Sequence, residues 1–348
     1  MKTTALGLMS GTSLDGLDIC IAQFEKTENR WNFQILEAET IAYSKKWEEN
    51  LKNAVSFSSE ELLALNVDYG FYLGKTVNDF LNSKKIKSVD LIASHGHTVF
   101  HQPLRKFTLQ IGDGRALKLE TSIPTIYDFR SQDVLMGGNG APLVPIGDEL
   151  LFSEYEACLN LGGFSNISFN KNNKRIAFDI CPVNIILNQL SLEFGKKYDE
   201  NGNLAKTGSI DSQLLQQLNS LDFYQQQPPK SLGIEWCFEN IFPLLKKYAA
   251  QTLISTFTEH VAKQISKVFN ENKLKNVLFT GGGTYNQFLI ERIQAHTSTE
   301  IIIPSKEIIN FKEALIFAFM GVLRQNNEIN VLSSATGSSK DHSSGVIA

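Results

Sequence analysis

The sequence lacks the features that would place it in a membrane or on nucleic acid. No apolar run reaches the ~18 residues needed to span a bilayer. The apolar patch Ala5 to Met9 behind Lys2 is broken by Ser10, Gly11, Thr12 and Asp15, short of a signal-peptide core of about 7–15 residues. Cysteine is scarce: Cys20, Cys158, Cys181 and Cys237 are the 4 in 348 residues, with no CxxC pair, which excludes a disulfide scaffold and a zinc finger and predicts a reducing cytoplasm. A charge excess is also missing. Lys+Arg of 33 against Asp+Glu of 37 leave a net charge of −4, without the basic footprint of a nucleic-acid binder. A small neutral or anionic ligand is therefore expected, with no nucleic-acid and no membrane partner. A hydrophobic share of 42% with 20% charged residues excludes collagen, a coiled coil and a mostly disordered chain.

What is present is a repeated pattern. Ala5-Leu-Gly-Leu-Met-Ser-Gly-Thr-Ser-Leu-Asp-Gly-Leu-Asp-Ile-Cys-Ile-Ala22 and Ala157-Cys-Leu-Asn-Leu-Gly-Gly-Phe-Ser-Asn-Ile-Ser-Phe169 each run from an apolar stretch through a polar turn into an alternating stretch, as a β-hairpin does. They lie about 150 residues apart, one domain length, which predicts domains over 1–150 and 151–348. Around them, helices are expected from Ser58 to Phe80, Ile185 to Phe194, Leu253 to Phe269, Asn286 to Gln294 and Lys312 to Arg324. Strands are expected at Leu91 to Ala93, Ile176 to Phe178, Asn276 to Thr280 and Ile301 to Ile303. The alternation gives an α/β fold. The Ser- and Gly-rich segment from Ser333 is expected to be a mobile tail.

Several motifs carry candidate chemistry. The turn Gly11-Thr-Ser-Leu-Asp-Gly16, closed by Leu17 and Asp18, offers amides and hydroxyls to a phosphate, and Asp15 or Asp18 to a metal directly or through water; an ordinary hairpin tip is the alternative. Asn160-Leu-Gly-Gly163 is its counterpart. Gly70 to Thr76 has the wrong glycine spacing for a phosphate loop and sits in a helical pattern, and Gly138-Asn-Gly140 runs into prolines that a dinucleotide fold would not tolerate. His95, His97 and His101 suit polar loop residues lining a ligand cleft better than zinc, having no fourth ligand nearby.

Arg130 could grip a ligand carboxylate with its fork or pair internally with Asp128 or Asp133. Asp179, at the expected carboxyl end of a strand, is placed either as a general base or as a helix cap. Gly281-Gly282-Gly283, after a strand, either lets a nucleobase or ribose lie on bare backbone or makes a tight turn. Glu313 either bonds sugar hydroxyls or suits a helix dipole.

In order along the chain, Gly7-Leu-Met-Ser-Gly-Thr-Ser-Leu-Asp-Gly-Leu-Asp18, Ser94-His-Gly-His-Thr-Val-Phe-His-Gln-Pro103, Leu109 to Asp113, Asp128 to Val134, Gly140 to Pro145, Asn160 to Gly163, Pro228-Pro-Lys-Ser231, Gly281 to Gly283 and Glu313-Ala-Leu315 resemble the anhydro-N-acetylmuramic acid kinases. The resemblance implies two duplicated ribonuclease-H-like domains with an interdomain ATP cleft. It also implies an enzyme that uses ATP, Mg²⁺ and water to open a 1,6-anhydro sugar and phosphorylate its O6, in cell-wall recycling and amino sugar metabolism.

By that resemblance Gly11, Thr12, Ser13, Leu14, Asp15, Gly16, Leu17 and Asp18, with Gly162 and Gly163, hold the phosphates, and Gly281, Gly282 and Gly283 lie beside adenosine. Asp179 is the base. His97, Arg130, Asn184 and Glu313 meet the sugar, and Asp15 and Asp18 reach the metal through water. Where the family has Asp-Thr-Gly-Pro-Gly-Asn, this chain has Asp179-Ile-Cys-Pro-Val-Asn184. Cys181 and Val183 are expected to point into the core with the reaction kept. A nucleotide-binding scaffold, a kinase for another sugar and a plain ATPase are the alternatives, and the residues are silent on whether the chain is a homodimer.

Overall fold

Strands buried on both faces read as unbroken apolar runs, and Ala5 to Met9 is such a run. In the computed structural model, which describes residues 2–11, 14–28 and 30–348, it forms the heart of β1 (Lys2–Ser10). β2 (Leu17–Thr27) and β3 (Arg30–Ile41) continue from it antiparallel. β4 (Leu91–Gln102) joins the other side of β1 in parallel, β5 (Phe107–Ile111) folds back on β4, and β6 (Thr125–Tyr127) pairs β4 in parallel. β7 (Ala157–Leu161), β8 (Phe164–Lys171) and β9 (Lys174–Pro182) form a second antiparallel meander. β10 (Asn276–Thr280) and β11 (Glu300–Ile302) extend it in parallel beyond β7.

The two sheets thus share one plan. The order β3-β2-β1-β4-β6 in the first is repeated as β9-β8-β7-β10-β11 in the second, with the same strand directions. This is the duplicated ribonuclease-H-like α/β fold. A last strand, β12 (Val346–Ile347), pairs antiparallel with β6 at the edge of the first sheet.

Each sheet is covered by a long amphipathic helix. Ser59–Ser83 starts in a capping box, Ser58 and Glu61 each bonding the other's backbone amide, and it lays Tyr69, Leu73 and Val77 on Leu6, Leu8 and Ile92. Ala250–Glu271 covers the second sheet with Phe257, Val261, Ile265 and Phe269, all fully buried.

The division of the chain corrects the expected one. One unit comprises the chain up to Leu151 together with Phe311–Ala348, and the other is Phe152–Asn310. The reason lies in the helix Lys306–Gln325, which begins ahead of the expected Lys312 and, from Phe311 on, packs on the first sheet. It comes so close that a Cβ at Gly7 would overlap the Ala314 carbonyl, while Gly321 in turn sits against Ala93 and Leu91.

The expected mobile tail is instead folded. Asn330 Nδ2 donates to the Met320 and Ser344 carbonyls at 3.1 and 2.9 Å, Ser344 Oγ to the Phe129 carbonyl at 2.8 Å, and Thr336 Oγ1 to Asp133 Oδ1 at 2.7 Å. Its small polar residues satisfy buried backbone rather than water.

Candidate active site

Each unit carries part of the expected set. In the first, β6 ends at Tyr127, Asp128 adopts φ +53°, and its carboxylate accepts the Ser131 amide at 3.2 Å, which starts the helix Ser131–Leu135. That turn leaves Arg130 half-buried. Its Nε donates to His95 Nε2 at 2.8 Å and its Nη1 to the Gly140 carbonyl at 2.6 Å. The internal salt bridge weighed above does not form. Asp133 is committed to the Gly140 amide at 2.7 Å and to Thr336. Among the described residues no carboxylate contacts Arg130, so its charge is held by neutral acceptors alone. Burial pulls the guanidinium below its usual range, against the fields of Glu313 and Asp133.

Glu313 reaches solvent, yet the protein around it desolvates its carboxyl and raises it; Arg130 acts against this and Asp18 adds to it. It lies inside the helix Lys306–Gln325 rather than near its start, so the dipole reading lapses. Asp18, at the start of β2, accepts from Thr40 Oγ1 at 2.5 Å. Burial raises it, Thr40 opposes, and the charge of Asp15 raises it further. Leu14 has φ +59° and its amide bonds the Gly11 carbonyl at 3.4 Å, while Gly16 fits against the Ile41 carbonyl where a Cβ would collide. Thr12 and Ser13 lie outside the described residues.

The histidines differ from expectation. β4 does not stop at Ala93 but runs through them to Gln102, so they are strand residues and not loop residues. Gly96, at φ +73°, breaks the alternation, and the register of β1 on β4 shifts there. His95 therefore meets Arg130 and packs on Phe317, with ring centroids 4.8 Å apart. His97 meets Ser10 Oγ at 3.0 Å, which also accepts from Tyr43 at 2.8 Å. Burial pushes His97 down to about 4. Among the described residues no group of three or more His, Cys, Asp or Glu is placed to hold a metal.

In the second unit the glycine turns gather. The amides of Val183 and Ile185 donate to the Gly163 carbonyl at 2.8 and 3.2 Å, and that of Asn184 to the Gly162 carbonyl at 3.3 Å. The Asn184 side chain donates to the Leu161 carbonyl at 3.2 Å. Gly281, at φ +83°, and Gly283 press on Asn160 and Leu161, where a Cβ would clash, while a Cβ at Gly282 would meet nothing within 4 Å. The result is a patch of bare backbone.

Asp179 lies within β9 rather than beyond its end, opposite Asn166 and next to a bulge at Ile180 that re-aims the strand. It caps no helix: Asn184–Ser191 begins after Val183, which makes no side-chain cap. Its amide donates to the Lys230 carbonyl at 3.1 Å, and Oδ2 accepts the Leu232 amide at 2.8 Å. Burial raises its carboxyl and the Leu232 bond opposes. Cys181 and Val183 are fully buried in the core as expected. Sequence reasoning missed His95 as the partner of Arg130, and also Tyr43 and Leu232. No spacing rule links residues 35 or 53 positions apart.

The two sheets of one strand plan define the class, a protein of two duplicated ribonuclease-H-like units. The family model for anhydro-N-acetylmuramic acid kinase matches residues 3–348. An anhydro-N-acetylmuramic acid kinase of Francisella tularensis subsp. novicida is 32% identical over 361 residues, covering 95% of each chain. That of Clostridioides difficile is 33% identical, covering 96% of this chain and 95% of its own. That of Mannheimia succiniciproducens is 32% identical across 100% of this chain and 99% of its own. The chain belongs to the anhydro-N-acetylmuramic acid kinase family, and is thus a kinase that uses ATP. No helix among the described residues is long and apolar enough to cross a membrane.

Proposed function

We propose that the protein opens 1,6-anhydro-N-acetylmuramic acid with water and phosphorylates its O6 from ATP, giving N-acetylmuramic acid 6-phosphate in cell-wall recycling. The observation that carries this reading is Asp179: a half-buried carboxylate, raised by desolvation, aimed by one backbone amide and free of any helix cap. A base of that kind takes the proton from water as its oxygen attacks the anomeric carbon. The C1–O6 bond breaks, the water oxygen stays on C1, and O6 is released to attack the γ-phosphorus in line as ADP leaves.

The turn Gly11 to Asp18 and the turn at Gly162 and Gly163 would hold the phosphates, and Gly281, Gly282 and Gly283 would lie under adenosine. Arg130, whose charge has only neutral acceptors, suits the lactyl carboxylate. Glu313 and Asn184 suit sugar hydroxyls. His97, buried with Nδ1 on Ser10, would meet the sugar through Nε2.

Asp15 and Asp18 fit Mg²⁺. The charge of Asp15 raises the carboxyl of Asp18, and a hard cation held through water would offset that repulsion. One or two carboxylates with substrate phosphates make up the usual Mg²⁺ site. When bound, the ion neutralises charge on the transferring phosphoryl group.

Incubation with ATP, Mg²⁺ and the anhydro sugar in H₂¹⁸O tests the reading. The phosphosugar should carry one ¹⁸O on C1 and none in its phosphate. Label in the phosphate, or phosphate release unaffected by the sugar, refutes it.

A further inference from the structure

We propose that His95 is a positioning residue for Arg130: a neutral acceptor that fixes the direction of the guanidinium while leaving its positive charge to the carboxylate of the sugar. The inference rests on the reading of Arg130 as the partner of that carboxylate.

The hydrogen-bond network assigns the tautomer. Nδ1 of His95 lies 2.9 Å from the carbonyl of Gly96, an acceptor only, so the proton sits on Nδ1. Gly96 turns that carbonyl back within reach through its φ of +73°, a conformation glycine adopts at no steric cost. Nε2 then carries a lone pair, which accepts Arg130 Nε at 2.8 Å. The second acceptor, the Gly140 carbonyl, is also neutral. With Nε and one Nη1 proton so used, Nη2 and the other Nη1 proton remain for a ligand.

The choice of acceptor matters. A carboxylate in place of His95 would make a stronger bond to Arg130, but it would cancel the charge an incoming anion needs. The carboxylates close in sequence are engaged elsewhere, Asp128 with the Ser131 amide and Asp133 with Gly140 and Thr336. The ring itself is held: 4% exposed and packed on Phe317. Burial and the charge of Arg130 keep His95 well below its usual pKa, and so neutral.

Three substitutions separate acceptor from charge. His95→Gln keeps a neutral acceptor, His95→Leu removes it, and His95→Glu supplies a charged one. The KM for 1,6-anhydro-N-acetylmuramic acid should rise at least about tenfold in the Leu and Glu variants and stay within about threefold in the Gln variant, with KM for ATP unchanged in all three. With 1,6-anhydro-N-acetylglucosamine, which has no lactyl carboxylate, all three should match the parent enzyme.

Equal behaviour of the Gln and Glu variants overturns the proposal, and this comparison stands even if the Leu variant does not fold. An equal penalty with the carboxylate-free sugar overturns it as well. Arg130→Met separates the two levels. If it leaves KM for the anhydro sugar unchanged, the reading of Arg130 fails and the role of His95 with it. If it raises that KM while His95→Leu does not, only His95 is misassigned.

Discussion

The backbone amide of Leu232 donates to Asp179 Oδ2 over 2.8 Å, across 53 positions of sequence. The bond favours the ionised acid while burial disfavours it, and burial prevails. Asp179→Asn should therefore lower kcat by at least about a hundredfold, the usual worth of a general base, with ATP affinity intact by calorimetry. Leu232→Pro removes the donor and should raise the pKa of Asp179, moving the acid limb of kcat/KM to higher pH. Leu232→Ala, which keeps the amide, is the control and should leave that limb in place.

Lys312 Nζ and Asp148 Oδ1 lie 2.6 Å apart, with both side chains almost fully buried. Lys312→Met leaves the carboxylate in a dry site without its ammonium and should cost about 3–5 kcal/mol in denaturant unfolding. Adding Asp148→Leu should restore most of that loss. A single variant as stable as the parent would show that Asp148 is compensated without the ammonium.

Two glycines should respond oppositely to alanine. At Gly7 the methyl group meets helix backbone that cannot yield, so Gly7→Ala should destabilise by at least about 2 kcal/mol or prevent folding. At Gly282 the methyl group meets open space, so the melting temperature should hold while KM for ATP rises, provided adenosine lies there. Unchanged KM would move the nucleotide elsewhere.

Acid should weaken the fold through its histidines. Burial holds His260 at about 3 and His97 at about 4, against about 6.5 in an unfolded chain. Between these values the unfolded chain binds the extra protons, so the stabilisation is complete above pH ~6.5 and is lost as pH falls towards the folded values. The melting temperature should fall between pH 7 and pH 5. His260→Gln, which keeps polar contact with Asn219 and Tyr224, should flatten that slope.

Local signals made much of the fold legible. β10 follows its apolar run residue for residue, Ser58 caps the helix its sequence announces, and the four-residue stripe from Leu253 to Phe269 is the buried face of its helix. Composition misled at the C-terminal end, where Ser and Gly suggested a solvated tail but pack inward because small side chains admit close backbone. The site was legible only as single residues. Asp179 and Arg130 stand out by type, but what aims them, Leu232 and His95, comes from distant segments through tertiary contact alone.

The return of the chain from Asn310 to Phe311 has a consequence for truncation. Phe152–Asn310 is one uninterrupted stretch, whereas the other unit is completed by Phe311–Ala348, including β12. Severed after Asn310, the chain would keep every residue of the one unit and strip the other of the helix that fits against Gly7.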